Sequence, residues 1–252
     1  MNAFAGKIAV VTGAGGGLGS AMARAFAAEG ATVILADADL ESAASVAQGI
    51  GPAAHAVHLD VTDEESWTAL LDRVEASGEL DILVNNAGIY RPNIPFEEMP
   101  IETWKLHFAV NSDGVFLGCK HAILRMKPHG GGAIVNIGSG MSIRANPIGA
   151  AYCASKAAVL MTTKTAAAAA GRYGIRVNAV LPGAVPTDML MGNVEGGQDP
   201  GIFLDQMNEA CLLGRMATPE DIARSVLFLC DPANAAITGV HLPVDGGNLP
   251  GN

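Results

Sequence analysis

A doubly wound α/β sandwich, with helices on both faces of a parallel sheet of about seven strands, is the fold this sequence predicts. Short apolar, β-branched runs alternate with longer segments of helical period along the chain. Continuous apolar strands separated by helices mean a parallel sheet buried on both faces, and the right-handed crossover rule winds those helices onto both sides. The chain also has the bulk for it: 252 residues, 50% of them apolar and 16% charged, are enough for one large core.

In order, the strand-like run "KIAVVTG" is followed by the helical "GSAMARAFAAEG", then "ATVILAD" by "LESAASVAQGI" and "AHAVHLD" by "EESWTALLDRVEAS". "LDILVNNAG" precedes one long helical stretch, "IETWKLHFAVNSDGVFLGCKHAILRM", and "GAIVNIGS" precedes the helix that begins "AAYCASKAAVLM". "IRVNAVLPG", "PEDIARSVLFLC" and "GVHLPVDGG" complete the alternation. No repeat or linker divides the chain, so residues 1–252 are expected to form one domain. The glycine- and acid-rich "MGNVEGGQDPG" interrupts the pattern, and a substrate lid is expected around residues 188–212.

A net charge of -10 argues against a nucleic-acid partner, which needs a basic face. Cys119, Cys153, Cys211 and Cys230 show no CxxC spacing and read as reduced, buried thiols. The short apolar run near the start suits a buried strand better than a signal peptide. No stretch of about 18 apolar residues appears, so a cytoplasmic protein without a membrane span is expected.

"VVTGAGGGLGSAMARAF" reads as strand, glycine turn, helix. The P-loop pattern fails for want of Gly-Lys-Ser/Thr, and the strict GxGxxG fails because Leu18 stands where glycine is required. Thr-Gly-x-x-x-Gly-x-Gly fits, with Thr12, Gly13, Gly17 and Gly19. Such a turn lets the backbone approach a pyrophosphate seated on the helix N-terminus, and Gly13, Gly15, Gly17 and Leu18 are expected to contact it. The second strand ends in Asp37, whose carboxylate suits the adenosine ribose hydroxyls and repels a 2′-phosphate, favouring NAD over NADP. Asp39 reads as solvent-facing.

Ligands bind beyond the C-terminal ends of parallel strands. The third strand is expected to end in Asp60 and Val61, suited to an adenine edge, and the fourth in "NNAG", which carries Asn86. Ser139 follows the fifth. Tyr152 and Lys156 share a helical face by their i, i+4 spacing. A phenol titrates at about 10, and a nearby ammonium would lower it into useful range for proton transfer. A serine nucleophile elbow is excluded because Ile137 occupies its first glycine position.

Together these residues, from "TGAGGGLG" through "NNAG", Asn111, Ser139 and "YCASK" to "PGAVPT" and "VDGG", resemble the short-chain dehydrogenase/reductase family in its single-domain branch, a Rossmann-like fold. The resemblance implies Tyr152 as general acid/base and Ser139 orienting the reacting oxygen. Lys156 would hold the nicotinamide ribose and lower the Tyr152 pKa, and Asn111 would hold a water in a proton relay. Val185 and Thr187 would dock the nicotinamide carboxamide. It also implies a homo-oligomer, most often a tetramer, built on the helices of Asn111–Met126 and Tyr152–Ala170.

Ser142 reads as a loop residue lining the pocket. His55 and His58, placed on one strand face without a third ligand nearby, read as structural, and no metal is expected. The substrate pocket is expected to be built by the loop after Ser139, by Tyr90 to Ile94 and by the lid after Thr187. Met141, Ile143, Met189, Leu190, Met191 and Phe203 either form an apolar substrate wall or pack the lid, and Arg144 is a candidate for an anionic group. The leading expectation is an NAD-dependent oxidoreductase interconverting a secondary alcohol, of apolar character, and a ketone. The alternatives are a 3-oxoacyl-thioester (acyl-carrier-protein) reductase and a non-catalytic dinucleotide-binding sensor or scaffold.

Overall fold

Ile8–Thr12 forms β1, buried at every position, and its alternate side chains feed two cores. Ala9 and Val11 face one side, Ile8 and Val10 the other, as the two-residue period of a strand requires. The computed structural model describes residues 2–91, 93–194 and 199–248. After β1 come α1 (Gly17–Ala28), β2 (Thr32–Asp37), α2 (Leu40–Ile50), β3 (Ala54–His58), α3 (Glu64–Glu75) and β4 (Leu80–Asn85). The second half runs through α4 (Ile101–Phe108), α5 (Gly114–Met126), β5 (Gly132–Ile137), α6 (Ala150–Ala170) and β6 (Ile175–Pro182). It closes with α7 (Asp188–Met191), α8 (Pro200–Glu209), α9 (Pro219–Cys230) and β7 (His241–Val244).

The strands form one seven-stranded sheet, ordered β3-β2-β1-β4-β5-β6-β7, with every neighbouring pair parallel. The order reverses between β1 and β4, which opens a crevice above their C-terminal ends. On one face, Met22 and Phe26 of α1 pack with Val11, Val33 and Leu35, and Ile222 and Val226 of α9 with Ala133 and Val135 of β5 and Val180 of β6. On the other, Trp67 of α3, Val115 of α5 and Val159 of α6 pack on Val10, Leu83 and Ile134. Full burial of such side chains contributes roughly 1.5–3 kcal/mol each. Trp67 also donates its indole N–H to the Val61 carbonyl at 3.0 Å, which fixes the chain just past β3.

Several local expectations are corrected. β3 stops at His58, so Asp60 lies in a turn, where its carboxylate accepts from Thr62 N at 2.9 Å and Thr62 Oγ1 at 2.7 Å. His55 and His58 are both exposed and, three residues apart on a strand, point to opposite faces rather than one. The long helical stretch is broken: a π-turn at Ala109–Asp113 separates α4 from α5. Cys119, Cys211 and Cys230 are buried free thiols, whereas Cys153 is only half-buried. Of the expected lid, Glu195–Gln198 lie outside the described residues, as does Pro92 of the pocket segment. α7 and α8 flank that gap. No helix among the described residues is long and apolar enough to cross a membrane.

Candidate active site

The glycine turn is laced to the end of β4. Thr12 Oγ1 accepts from Asn86 N at 3.0 Å and Ala87 N at 2.9 Å. The Asn86 amide donates back to the carbonyls of Thr12 at 2.8 Å and Gly13 at 3.0 Å. Gly13 has φ +63°, and a Cβ there would lie 2.8 Å from Ala87 Cα. A Cβ on Gly19 would run into the Gly13 carbonyl oxygen. Only glycine lets the turn, α1 and the β4 end approach this closely.

No side chain caps the N-terminus of α1, so its first N–H donors remain available for an anion, and Gly16, Gly17 and Leu18 line the cavity beside them. Asp37 also lines it. Its carboxylate accepts from Gly15 N at 2.8 Å and Asp39 N at 2.9 Å, which leaves a further lone pair on each oxygen. Gly15 departs from expectation: a Cβ there would lie 2.9 Å from Ser42 Cβ, so it packs beneath Asp37 and Ser42 instead of facing the cavity. Asp39 is exposed and caps α2 through Glu41 N and Ser42 N, both at 3.1 Å. Glycine cradle, open helix terminus and half-spent carboxylate fit a dinucleotide's pyrophosphate and ribose hydroxyls.

At the other end, Ser139 stands two residues past β5 and caps a helical turn with Met141 N donating to its Oγ at 3.1 Å. Ser142 does not line the pocket. Its Oγ accepts from Ser139 N at 3.1 Å and steadies that residue. Tyr152 and Lys156 occupy the first turns of α6. Tyr152 shares the cavity wall with Ser139 and is flanked by the rings of Tyr90 at 4.5 Å and His107 at 6.5 Å. Although some of its surface opens to the cavity, this enclosure pushes the phenol up to about 12, with only the nearby Ser139 hydroxyl opposing. Lys156 is buried, which pulls its ammonium down to about 8. Its Nζ donates to the Ile137 carbonyl at 2.8 Å and lies 5.9 Å from the Tyr152 ring centroid. The expected lowering of the phenol by Lys156 is therefore not found in the protein alone; burial dominates.

Asn111 is fully buried inside the π-turn, a distortion that recurs at functional sites. Its Oδ1 accepts from Ile89 N at 2.9 Å, and its Nδ2 donates to Ile89 O at 3.0 Å and Ser155 Oγ at 3.1 Å. The side chain thus ties the segment after β4 to α6. Past β6, Val185 is buried and Thr187 Oγ1 donates to its carbonyl at 3.3 Å. The Thr187 methyl faces the glycine turn, 3.8 Å from where a Cβ of Gly17 would be.

Asn111, Gly15 and Ser142 apart, these groups line one continuous cavity of about 1420 Å³. It runs from Asp37, Asp60 and Val61, past Asn86 and Thr187, to Ser139, Tyr152 and Lys156. That exceeds the roughly 300–1,000 Å³ of an ordinary small-ligand site and leaves room for a substrate beside a dinucleotide. Met141, Met189, Leu190 and Phe203 wall the substrate end with Ile148 and Met207, whereas Ile143 is exposed and Met191 is not part of the wall. Arg144 reaches the rim and donates to the Asn248 carbonyl at 3.4 Å and Oδ1 at 3.0 Å. The sequence reading missed His107. No local spacing marks a buried histidine whose ring partners lie elsewhere in the chain.

Comparison with known proteins places this arrangement. A family model described as enoyl-(acyl carrier protein) reductase matches residues 13–248. The chain is 42% identical over 250 residues to a 2,5-dichloro-2,5-cyclohexadiene-1,4-diol dehydrogenase of Sphingobium indicum, covering 98% of this chain and 97% of the relative. It is 40% identical over 249 residues to a cis-4-hydroxycyclohexanecarboxylate dehydrogenase of Sinomonas cyclohexanicum, covering 97% of each. A 3-ketoacyl-(acyl-carrier-protein) reductase from Brucella melitensis, solved with NADH, superimposes with a TM-score of 0.91 at 35% identity, over 98% of this chain and 99% of that one.

Proposed function

Because the chain belongs to the short-chain dehydrogenase/reductase family, we propose that it is an NAD-dependent oxidoreductase that interconverts a secondary alcohol and a ketone. The observation that carries this reading is that Ser139, Tyr152 and Lys156 line the same cavity as the glycine turn. The two ring-alcohol dehydrogenases it resembles support it. When bound, the cofactor takes a hydride from the alcohol carbon or returns one to the ketone carbon. Gly13, Gly17, Leu18 and the α1 terminus would hold the pyrophosphate, and Asp37 the adenosine ribose. Asp60 and Val61 would meet the adenine, Lys156 the nicotinamide ribose, and Val185 and Thr187 the carboxamide.

Ser139 holds the reacting oxygen, and Tyr152 exchanges its proton with it. A phenol raised to about 12 is a ready proton donor to a ketone at neutral pH, whereas alcohol oxidation needs the phenolate. Oxidation should therefore accelerate as pH rises from 7 toward 10, and ketone reduction should not. The Asp37 carboxylate would repel a 2′-phosphate, which favours NAD. The same reading includes a homotetramer in the cytoplasm and closure of the α7–α8 segment over the substrate.

The test is NADH formation from a panel of secondary alcohols across that pH range. NAD⁺ should outperform NADP⁺, and Tyr152→Phe should lower kcat by about 10²–10⁴-fold while NAD binding by calorimetry persists. Full activity of Tyr152→Phe would sink the mechanism, and NAD binding without turnover on any alcohol would favour a sensor. The likeness to the Brucella melitensis reductase favours a second reading, reduction of a 3-oxoacyl thioester. Faster turnover of acetoacetyl thioesters with NADPH than of any alcohol with NAD⁺ would select it.

A further inference from the structure

We propose that Tyr90 and Asn146 bind a second oxygen of the substrate, so that the enzyme selects diols and hydroxyketones over monofunctional alcohols; this rests on the alcohol–ketone reading above. The Tyr90 ring lies against that of Tyr152, with centroids 4.5 Å apart and planes inclined by 45°. Its hydroxyl accepts from Asn146 Nδ2 at 3.4 Å, and a Cβ on Gly149 would sit 3.4 Å from both atoms. The pair therefore stands at the start of α6, beside the turn that carries Tyr152.

The Tyr90 hydroxyl donates to none of the described residues, so its proton is available to a ligand. Burial also pushes this phenol up, which keeps the proton on it. Tyr90, Asn146, Ser139 and Tyr152 line the same cavity, in which Met141, Met189 and Leu190 supply apolar surface. Tyr90 is only partly buried, so solvent in the cavity serves its hydroxyl until a substrate displaces it, and a donor then left without an acceptor is costly. A substrate oxygen there removes that cost, and an alcohol lacking one leaves it standing, which is how such sites discriminate.

The wall is also held in place before any substrate arrives. His107 is fully buried, and its Nδ1 faces the Thr103 carbonyl at 2.8 Å, which assigns the proton to Nδ1. Nε2 is then the acceptor for Arg91 N at 3.2 Å, next to Tyr90. Ile94 N donates to Ile148 O at 3.2 Å and joins the Tyr90 segment to the Asn146 loop. Pre-ordering of this kind cuts the entropy lost on binding.

The experiment compares cyclohexanol with the 1,2-, 1,3- and 1,4-cyclohexanediols, and 2-butanol with 2,3-butanediol, by NADH formation with wild type, Tyr90→Phe and Tyr152→Phe. At least one diol should exceed its mono-alcohol in kcat/KM by about tenfold, the worth of one hydrogen bond. Tyr90→Phe keeps the ring contact and should bring that ratio close to unity through KM. Absence of any diol preference, or a ratio that Tyr90→Phe leaves unchanged, overturns the proposal, because a purely structural Tyr90 would affect all substrates alike. Loss of turnover in Tyr152→Phe alongside a missing diol preference would leave the parent reading standing and this one refuted. Full turnover by Tyr152→Phe, or turnover of none of these compounds by wild type, would overturn both.

Discussion

Lys156 is 3% exposed and donates to the Ile137 carbonyl, so the fold keeps an ammonium where a hydrocarbon would pack more easily. Its value of about 8 against an ordinary 10.5 means that the unfolded chain binds the extra proton between those two pH values. Folding stability contributed by this group therefore rises with pH across that window and is flat below it. The full shift corresponds to roughly 3 kcal/mol. Lys156→Met should remove that pH-dependent gain, seen as a smaller rise in urea-unfolding free energy from pH 7.5 to 9.5 than in wild type, and it should abolish turnover. Ser139, Tyr152 and Lys156 were readable in the sequence because a strand end and one helical turn bring them together over a short span. Tyr90 was expected to line the pocket, but its ring contact with Tyr152, like that of His107, comes from a segment whose relation to Tyr152 only the folded sheet creates, so no spacing announces it. For the same reason the upward push on Tyr152 was invisible: burial is a property of the surroundings.

Among the elements, α1 illustrates how far a motif can be trusted. Alanine in place of glycine within a helix ordinarily gains about 1 kcal/mol. At Gly19 the added methyl would meet the Gly13 carbonyl and lie 2.8 Å from Asn86 Nδ2, both part of the lacing between turn and β4. Gly19→Ala should instead cost about 1–3 kcal/mol in chemical denaturation and weaken NAD binding by calorimetry. Stability equal to wild type would show that the turn can yield. Glycine spacing and the strand runs disclosed this element correctly. The π-turn at Ala109–Asp113 escaped, because one extra residue in a turn hardly disturbs the apolar period on either side. β3 was read too long because Leu59, buried next to the strand, continues its apolar pattern after pairing has ended.

Over the molecule as a whole, apolar surface is left outside both cores. Phe116 and Leu124 lie on the outer stripe of α5, and Met161 on that of α6, all more than half exposed. Leu212 and Leu213, after α8, are 87% and 72% exposed. Exposed apolar side chains on the neighbouring helices α5 and α6 suit an association site, in keeping with the proposed tetramer. Light scattering should give four times the 25.7 kDa chain mass, and Phe116→Glu with Leu124→Glu should reduce it; a wild-type monomer would refute the assembly. The alternation of runs was enough to anticipate a parallel sheet, but not the side on which each helix lies, which follows from the crossovers. The reversal of strand order between β1 and β4 has a further consequence. The glycine turn, Asp37 and Asp60 all precede that boundary, whereas Ser139, Tyr152, Lys156 and Thr187 follow it. On the proposed assignment, nucleotide choice and alcohol choice would be encoded in separate stretches of one gene. A chimaera of two relatives spliced within β4 would take its coenzyme preference from one parent and its chemistry from the other.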